Sequence, residues 1–251
     1  MTSEQTPWPP STYGDAFADV YDTWYGPERM PSEDTVAFLA AEAGAGPVLE
    51  LGIGSGRVAL PLADRGFSVT GIDASAAMLD LLRAKPRSSR IAVLLGDFAD
   101  VAVPATSFSL IYVVFSTLFA LPSQEAQLRC FAGVARALRP GGAFVVETIV
   151  PTVTWFGNNQ HVHVDSIDER GTRLSVSRHD PVTQTIRARQ MLFDESGFRT
   201  FPVDIRYAWP AELDLMARLN GLEPAGRWTD WNRRPFTAES TRQVSLWRRP
   251  G

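Results

Sequence analysis

Three glycines and an acidic residue lie close together near residue 50, with side-chain types and spacing that suit ligand binding. The run is Glu50-Leu51-Gly52-Ile53-Gly54-Ser55-Gly56-Arg57. Glycines let the main chain turn sharply and approach a ligand without a Cβ atom in the way. A short apolar segment precedes the run and a helical pattern follows it, as at the nucleotide-binding turns of α/β folds. Dinucleotide-binding folds use similar turns, so the run alone leaves the cofactor open.

Two further acidic residues follow predicted strands in the same part of the chain. Asp73 closes a strand predicted over 68–72, where its carboxylate can accept hydrogen bonds from both hydroxyls of a ribose. Asp97 follows a strand predicted over 91–95, where it can accept from an adenine amino group while Phe98 covers the ring. Open α/β sheets bind ligands at the carboxyl ends of their strands, so we expect these residues to face one ligand.

A second polar group lies on a stretch with period-two alternation. His161, His163 and Asp165 occupy alternate positions, so a strand places them on one face. That face could be a solvated outer surface. Alternatively, the imidazoles and the nearby arginines could hold an anionic group such as a diphosphate; the arginines are Arg178, Arg187 and Arg189.

The elements that position these residues follow from the apolar pattern. Up to residue 150, short and nearly all-apolar segments alternate with helical patterns, which predicts a parallel sheet covered on both faces. The predicted strands are 48–51, 68–72, 91–95, 110–114 and 144–148. A short helix with an aromatic face precedes them and carries Phe17, Tyr21, Trp24 and Tyr25.

After residue 150 the alternation takes period two, with turn residues between the segments, which predicts antiparallel strands. We therefore expect an α/β fold: a doubly wound, seven-stranded, mostly parallel sheet with an antiparallel β insertion that caps the site. The expected parts are 1–150 (N-terminal lid helices and cofactor-binding core), 151–209 (insertion) and 210–251 (C-terminal helix and closing strands).

Composition narrows the function classes. The chain has 251 residues, 45% of them hydrophobic, and a net charge of −4 without a basic stripe, which argues against a nucleic-acid partner. The single Cys130 excludes an internal disulfide and a cysteine-based zinc site. No apolar run approaches the ~20 residues that span a bilayer, and the N-terminus lacks the pattern of a secretory signal. We expect a cytoplasmic protein with a small-molecule partner, and the oligomeric state stays open.

Together the motifs resemble the class I S-adenosylmethionine (SAM)-dependent methyltransferases, over roughly residues 45–148 and the final strands. The matching pieces are the Glu-x-Gly-x-Gly-x-Gly turn, Gly71-Ile72-Asp73, Gly96-Asp97 and Leu138-Arg139-Pro140-Gly141-Gly142. The resemblance implies SAM as cofactor, with its ribose at Asp73, its adenine at Asp97 and Phe98, and its sulfonium near Phe115. The methionine part would lie against Glu50, Gly52, Gly54 and Gly56.

The segment Ala18-Asp19-Val20-Tyr21-Asp22-Thr23-Trp24-Tyr25 looks like the N-terminal lid of bacterial natural-product methyltransferases, including amino-sugar N-methyltransferases. In that family such tyrosines close over the cofactor. The resemblance therefore makes Tyr21 a candidate cofactor contact, and Tyr13 a second one.

For the acceptor, the chain is also similar to bacterial prenyl-diphosphate C-methyltransferases at Glu169 and Trp209. Methylation of an alkene produces a carbocation, which needs aromatic faces for stabilisation and a carboxylate to remove a proton. The specific hypothesis is C-methylation of geranyl diphosphate with Glu169 as the base, and with Mg²⁺ accompanying the diphosphate. The expected substrate-binding residues are His161, His163, Arg187, Tyr207 and Trp209.

Three alternatives remain at this point. The first is O- or N-methylation of a sugar or aromatic metabolite. The second is an NAD-dependent oxidoreductase, which is disfavoured because the turn lacks the Gly-x-Gly-x-x-Gly spacing. The third is a non-catalytic SAM-binding protein, which would bind the cofactor without turnover.

Overall fold

A seven-stranded sheet forms the centre of the computed structural model, which describes residues 8–169 and 171–251. The strands are β1 (Val48–Leu51), β2 (Val69–Asp73), β3 (Ile91–Leu95), β4 (Phe108–Val113), β5 (Leu138–Ile149), β6 (Gln160–Asp168), β7 (Gly171–Asp180), β8 (Thr185–Asp194), β9 (Gly197–Arg206), β10 (Glu223–Trp228) and β11 (Arg242–Arg248). The helices are α1 (Thr12–Phe17), α2 (Tyr21–Tyr25), α3 (Glu33–Ala43), α4 (Ala59–Asp64), α5 (Ala76–Arg83), α6 (Gln124–Ala137) and α7 (Pro210–Leu219).

The central sheet has the strand order β10-β11-β5-β4-β1-β2-β3. Strand β1 pairs in parallel with β2 and β4, and the pairs β2–β3 and β4–β5 are also parallel. Strand β11 is antiparallel to both β5 and β10. The predicted α/β fold with five parallel strands is therefore confirmed.

Helices cover the central sheet on both faces, which explains why its strands are apolar without alternation. On one face, Leu49 and Phe144 pack with Phe131 of α6 and Leu213 of α7. On the other face, the buried side chains of β1, β4 and β5 pack against α3, α4 and α5. Because both faces of the central sheet are covered by apolar side chains, polar residues are placed at the carboxyl ends of its strands.

The period-two segments form a second, four-stranded sheet with the order β6-β7-β8-β9, antiparallel throughout. One row of paired residues crosses all four strands and comprises His163, Ser175, Gln190 and Phe201. The Phe201 ring lies 5.0 Å from the ring of Phe17 in α1, so this row faces the N-terminal helices. We call that side the inner face and the opposite side the outer face.

The predicted aromatic helix near the N-terminus is divided into α1 and α2. The chain tightens at 18–20, where the Val20 amide donates to the Phe17 carbonyl, and a new helix begins at Tyr21. Phe17 and Trp24 still meet in one apolar cluster, with ring centroids 5.9 Å apart. Among the described residues, no helix is long and apolar enough to cross a membrane.

Candidate active site

The glycine-rich turn connects β1 to α4, and its three glycines all have positive φ angles. A Cβ atom on Gly52 would lie 2.4 Å from Thr117 Cγ2, and one on Gly56 would lie 2.4 Å from Leu82 Cδ1. Gly54 differs, because a Cβ atom there would meet nothing within 4 Å. Packing therefore requires two of the glycines, whereas the third leaves an open side of the main chain that a ligand can approach.

Asp73 joins this turn to the end of β2. Its Oδ2 accepts a hydrogen bond of 2.8 Å from the Gly54 amide, and its Oδ1 accepts one of 2.9 Å from the Ser75 amide. Burial raises the pKa of Asp73, and the bonds from Ser75 and Gly54 oppose that change. The carboxylate is thus held in a fixed orientation at the carboxyl end of a central strand.

Glu50 is a buried acid beneath the turn, and only 3% of it is exposed. Burial raises its pKa from 4.5 to about 8, although the hydroxyl of Tyr112, which donates at 2.9 Å, and the charge of Arg57 both oppose the rise. Glu50 is therefore largely protonated at neutral pH in the ligand-free protein. Arg57, at the end of the glycine motif, was not predicted as a site residue, although the motif itself contains it.

Asp97 and Phe98 follow β3. Asp97 Oδ1 accepts a hydrogen bond of 2.8 Å from the Ala99 amide and so caps a 3-10 turn over 98–100. The Phe98 ring is 8% exposed and packs into the apolar core, with its Cε1 3.7 Å from the Cβ position of Gly52. The adenine contacts expected of both residues stay predictions; Asp97 is also a capping residue and Phe98 also a core residue.

The N-terminal helices bring aromatic side chains to the same place. Tyr21 and Tyr25 lie 5.2 Å apart, and the Tyr25 ring lies 5.2 Å from the Phe115 ring at the end of β4. The Arg57 guanidinium stands 5.6 Å from the centre of the Phe115 ring. Burial raises the pKa of Tyr21, and the nearby charge of Arg57 opposes the rise. Tyr21 therefore lies close to the glycine motif, together with Tyr25, which the sequence-based site did not include.

Two polar contacts tie these helices to the glycine motif and to α5. Asp22 of α2 accepts from the Ser55 hydroxyl at 2.6 Å and from Lys85 Nζ at 3.0 Å, and Lys85 also donates to the Ser55 carbonyl. Asp15 of α1 accepts from the Ser75 hydroxyl at 2.6 Å. The carboxylates of Asp15 and Asp22 thus hold α1 and α2 against α5 and the turn, and neither residue was predicted as a site residue.

The Phe115 ring is held by an unusual main-chain conformation. Phe115 and Ser116 both have a φ of 58°, a left-handed conformation that costs a non-glycine residue about 1–3 kcal/mol. The buried Glu147 carboxylate accepts from the Phe115 amide and also contacts Arg242 at 3.5 Å. The Glu147 carbonyl accepts from the Ser116 amide at 3.1 Å. These bonds fix where the aromatic ring stands above the sheet.

The predicted acceptor residues are divided between different places. His161 and His163 lie on the inner face, with rings stacked 6.0 Å apart. Tyr207 is 3% exposed, and its hydroxyl lies 2.9 Å from His179 Nε2, so the side chain packs in the core and its substrate contact stays a prediction. Trp209 is 40% exposed just before α7 and contacts the Tyr207 ring edge-on.

Two predicted residues lie away from the inner face of the second sheet. Arg187 is out of phase with Gln190 on β8, so its side chain lies on the outer face, 3.6 Å from Asp204. Glu169 is an exposed residue of the turn between β6 and β7, ~20 Å along the strand from His163. The roles of Glu169 as the base and of Arg187 as a substrate ligand stay predictions, which these positions do not favour. Within 8–169 and 171–251, no group of three or more His, Cys, Asp or Glu side chains is arranged to hold a metal ion.

The open side of the turn gives a test with a matched control. Gly54→Ala should raise the dissociation constant of S-adenosylhomocysteine more than tenfold, because the new methyl group occupies the side that a ligand approaches. Gly221→Ala is the control: Gly221 has a φ of +71°, its added Cβ also meets nothing within 4 Å, and it lies in the turn before β10. Both variants should lose similar stability from backbone strain. Calorimetric titration of the two variants separates ligand contact from strain, and equal affinities would remove Gly54 from the binding surface.

Comparisons with known proteins agree with this geometry. The methyltransferase domain family matches residues 48–142, which contain the glycine turn, Asp73 and Asp97. The solved structure of the CcbJ methyltransferase from Streptomyces caelestis is 40% identical, with a TM-score of 0.90, over 97% of this chain and 100% of that chain. The cypemycin N-terminal methyltransferase of a Streptomyces species is 28% identical over 92% of this chain and 95% of its own length. SAM-bound CalS10, an amino pentose methyltransferase from Micromonospora echinaspora, shares the fold at 23% identity and a TM-score of 0.66, over 92% and 96% of the two chains.

The residues of the turn fit SAM as a ligand. Gly54 leaves open space beside the main chain, and Asp73 presents carboxylate oxygens suited to ribose hydroxyls. Glu50 and Arg57 supply an acid and a cation, the partners that the ammonium and carboxylate of an amino acid require. With the agreement of the fold and of a relative 40% identical over nearly the whole chain, the protein belongs to the class I SAM-dependent methyltransferases.

Proposed function

We propose that the protein methylates the nitrogen of a small natural-product amine. The observation that carries this proposal is the aromatic wall above the end of β4, formed by Tyr21, Tyr25 and Phe115, in which the Tyr25 ring lies 5.2 Å from each of the other two rings. Aromatic faces attract cations, and an amine nitrogen becomes cationic as it accepts a methyl group. Support also comes from the relative named for methylation at the N-terminus of cypemycin, which matches 92% of this chain.

SAM, when bound, supplies a methyl group already activated by the sulfonium. The chain's own residues then have two tasks, which are alignment of the nitrogen and exclusion of water. Helices α1 and α2 would exclude water, because hydrogen bonds from Ser55 to Asp22 and from Ser75 to Asp15 hold them in place. Burial raises the pKa of Tyr21 and of Tyr25, so both phenols stay neutral and can offer hydrogen bonds to the acceptor.

C-methylation of a prenyl diphosphate, the sequence-based hypothesis, has less support from the geometry. It required Glu169 as a base and arginines as ligands of the diphosphate. Glu169 lies at the exposed hairpin turn, and Arg187 lies on the outer face, away from the row that contacts the lid. The amine alternative needs neither residue.

The test is incubation of the protein with SAM and four separate acceptors, followed by mass spectrometry. The acceptors are a short peptide with a free α-amine, an amino sugar, a phenol, and geranyl diphosphate with Mg²⁺. We expect methylation of at least one of the two amines, and none of the same peptide after its α-amine is acetylated. Methylation confined to the phenol or to geranyl diphosphate, or absent from both amines, would overturn the proposal.

A further inference from the structure

An extra residue in β6 places a carboxylate on the inner face of the four-stranded sheet. Val164 pairs with Leu174 and Ser166 pairs with Arg173, so Asp165 forms a β-bulge and has no pairing residue on β7. The Ser175 hydroxyl donates to Asp165 Oδ2 at 2.6 Å. Ser175 belongs to the row that faces the lid, so the Asp165 carboxylate also lies on that side. Bulges often re-aim a side chain next to an active site.

Asp165 lies near the aromatic wall on its insertion side. The Tyr25 hydroxyl donates to Gln190 Oε1 at 3.5 Å, and Gln190 pairs with Ser175 in the sheet. The Tyr25 pKa is raised chiefly by burial; the bond to Gln190 and the charge of Arg173 oppose the rise, and the charge of Asp165 adds to it. The Tyr25 ring in turn contacts Phe115. Tyr25 therefore contacts Phe115 and also lies within reach of the Asp165 charge.

The neighbouring positive charge is that of Arg173, which lowers the Tyr25 pKa while the charge of Asp165 raises it. The Arg173 guanidinium stands 4.6 Å from the centre of the Trp24 ring, and its Nε donates to the Ser166 hydroxyl at 3.0 Å. The Asp165 side chain is exposed, so its carboxylate does not carry the desolvation penalty of a buried charge. An exposed carboxylate beside aromatic rings is the combination that binds protonated or quaternary amines.

We propose that Asp165, oriented by Ser175, recognises the positive charge of the acceptor and brings its amine to Tyr25 and Phe115. This inference rests on the proposed amine methylation and names the charge state in which the acceptor arrives. Most aliphatic amines are protonated at neutral pH, so an anion that attracts the protonated form raises the local concentration of the acceptor. Before transfer the ammonium releases a proton to solvent water, because only the neutral nitrogen has the electron pair that attacks the methyl carbon. The methylated nitrogen then carries the positive charge, and S-adenosylhomocysteine leaves neutral at sulfur. Asp165 therefore contributes to binding more than to the rate of methyl transfer.

The test uses choline and its neutral isostere 3,3-dimethylbutan-1-ol as probes, titrated by ligand-observed NMR in the presence of S-adenosylhomocysteine. The wild-type protein should bind choline more tightly than the neutral alcohol. Asp165→Asn should weaken choline binding by about twofold to fivefold, the range of an exposed ion pair, and leave the alcohol unchanged. Ser175→Ala should cause a smaller loss, because the charge stays and only its orientation is released.

Asp194→Asn is the matched control, because Asp194 also accepts from a serine hydroxyl, that of Ser196, but lies at the tip of the β8–β9 hairpin. Unchanged choline affinity in Asp165→Asn, an equal loss in Asp194→Asn, or no preference of the wild type for choline would each overturn the proposal. Choline has no free electron pair on nitrogen and cannot be methylated, so its binding is read separately from turnover. With any amine that is methylated, Asp165→Asn should raise KM and leave kcat nearly unchanged.

Discussion

Asp73→Asn should raise the dissociation constant of SAM by roughly a hundredfold while the protein stays folded. Hydrogen bonds to a charged group contribute about 1.5–3 kcal/mol each, and the amide loses the charge and one of the two acceptor oxygens. In the wild type, the amides of Gly54 and Ser75 donate to the Asp73 carboxylate. The asparagine side chain must turn its NH₂ group, a donor, toward one of these two amides. The cofactor contact and the shape of the turn are therefore weakened together.

Calorimetric titration with SAM measures this effect, and thermal unfolding checks the fold. Asp80→Asn is the control, because Asp80 lies on the exposed surface of α5. Its carboxylate forms an ion pair with Arg83 at 2.9 Å. The control should bind SAM as the wild type does. An Asp73→Asn variant that binds SAM with unchanged affinity would remove Asp73 from the cofactor site.

Glu50→Gln should change the pH dependence of stability more than any other single substitution in the site. The pKa of Glu50 is about 8 in the folded protein and near 4.5 when the chain is unfolded, because folding buries the acid. Between these values the folded state keeps a proton that the unfolded state has lost. The stability that the protonated form provides is thus complete below pH 4.5 and is lost as the pH rises to about 8.

The Glu50→Gln variant carries no titrating group at this position, so its stability should not fall in this way as the pH rises. From pH 6 to pH 9, the free energy of unfolding of Glu50→Gln should rise relative to the wild type by ~3 kcal/mol, since each pKa unit corresponds to about 1.4 kcal/mol. Urea unfolding of the ligand-free proteins at several pH values measures the difference. Glu239→Gln, an exposed control in the C-terminal loop, should show no such rise, and a pH-independent difference for Glu50→Gln would show that Glu50 is ionised in the folded protein.

The central fold could be predicted from the sequence because its signals are local. Strands buried on both faces read as apolar runs, and the segments at 48–51 and 91–95 have the predicted bounds. The cofactor motifs could be located for a related reason, since the carboxyl ends of parallel strands converge at one edge of the sheet. Glu50, Gly54 and Asp73 accordingly meet there.

The lid and acceptor contacts depend on residues far apart in the chain. The Tyr25–Gln190 bond joins residues separated by 165 positions, and no local spacing indicates it. The same applies to the bond between Glu147 and the Phe115 amide, which depends on how β5 lies beside β4. Such contacts follow from the assembled sheet and are not visible in any one segment.

The positions of Arg187 and Glu169 show a limit of strand patterns. Alternation places residues correctly relative to their neighbours on one strand, and His161 and His163 do share a face. It does not say which residues of the next strand share that face, because turn length and the bulge at Asp165 set the register. Arg187 therefore falls on the outer face, and Glu169 falls in the turn beyond the strand.

The most direct test of the account follows a labelled methyl group to the atom that receives it. The protein is incubated with SAM carrying ¹³C in its methyl group and with a ¹⁵N-labelled peptide α-amine or amino sugar, and the product is examined by NMR. Transfer to nitrogen predicts a one-bond coupling between ¹³C and ¹⁵N, which disappears when Asp73→Asn replaces the wild type at a limiting SAM concentration. A ¹³C label that appears on oxygen, on carbon or only in unreacted SAM would contradict methylation of an amine.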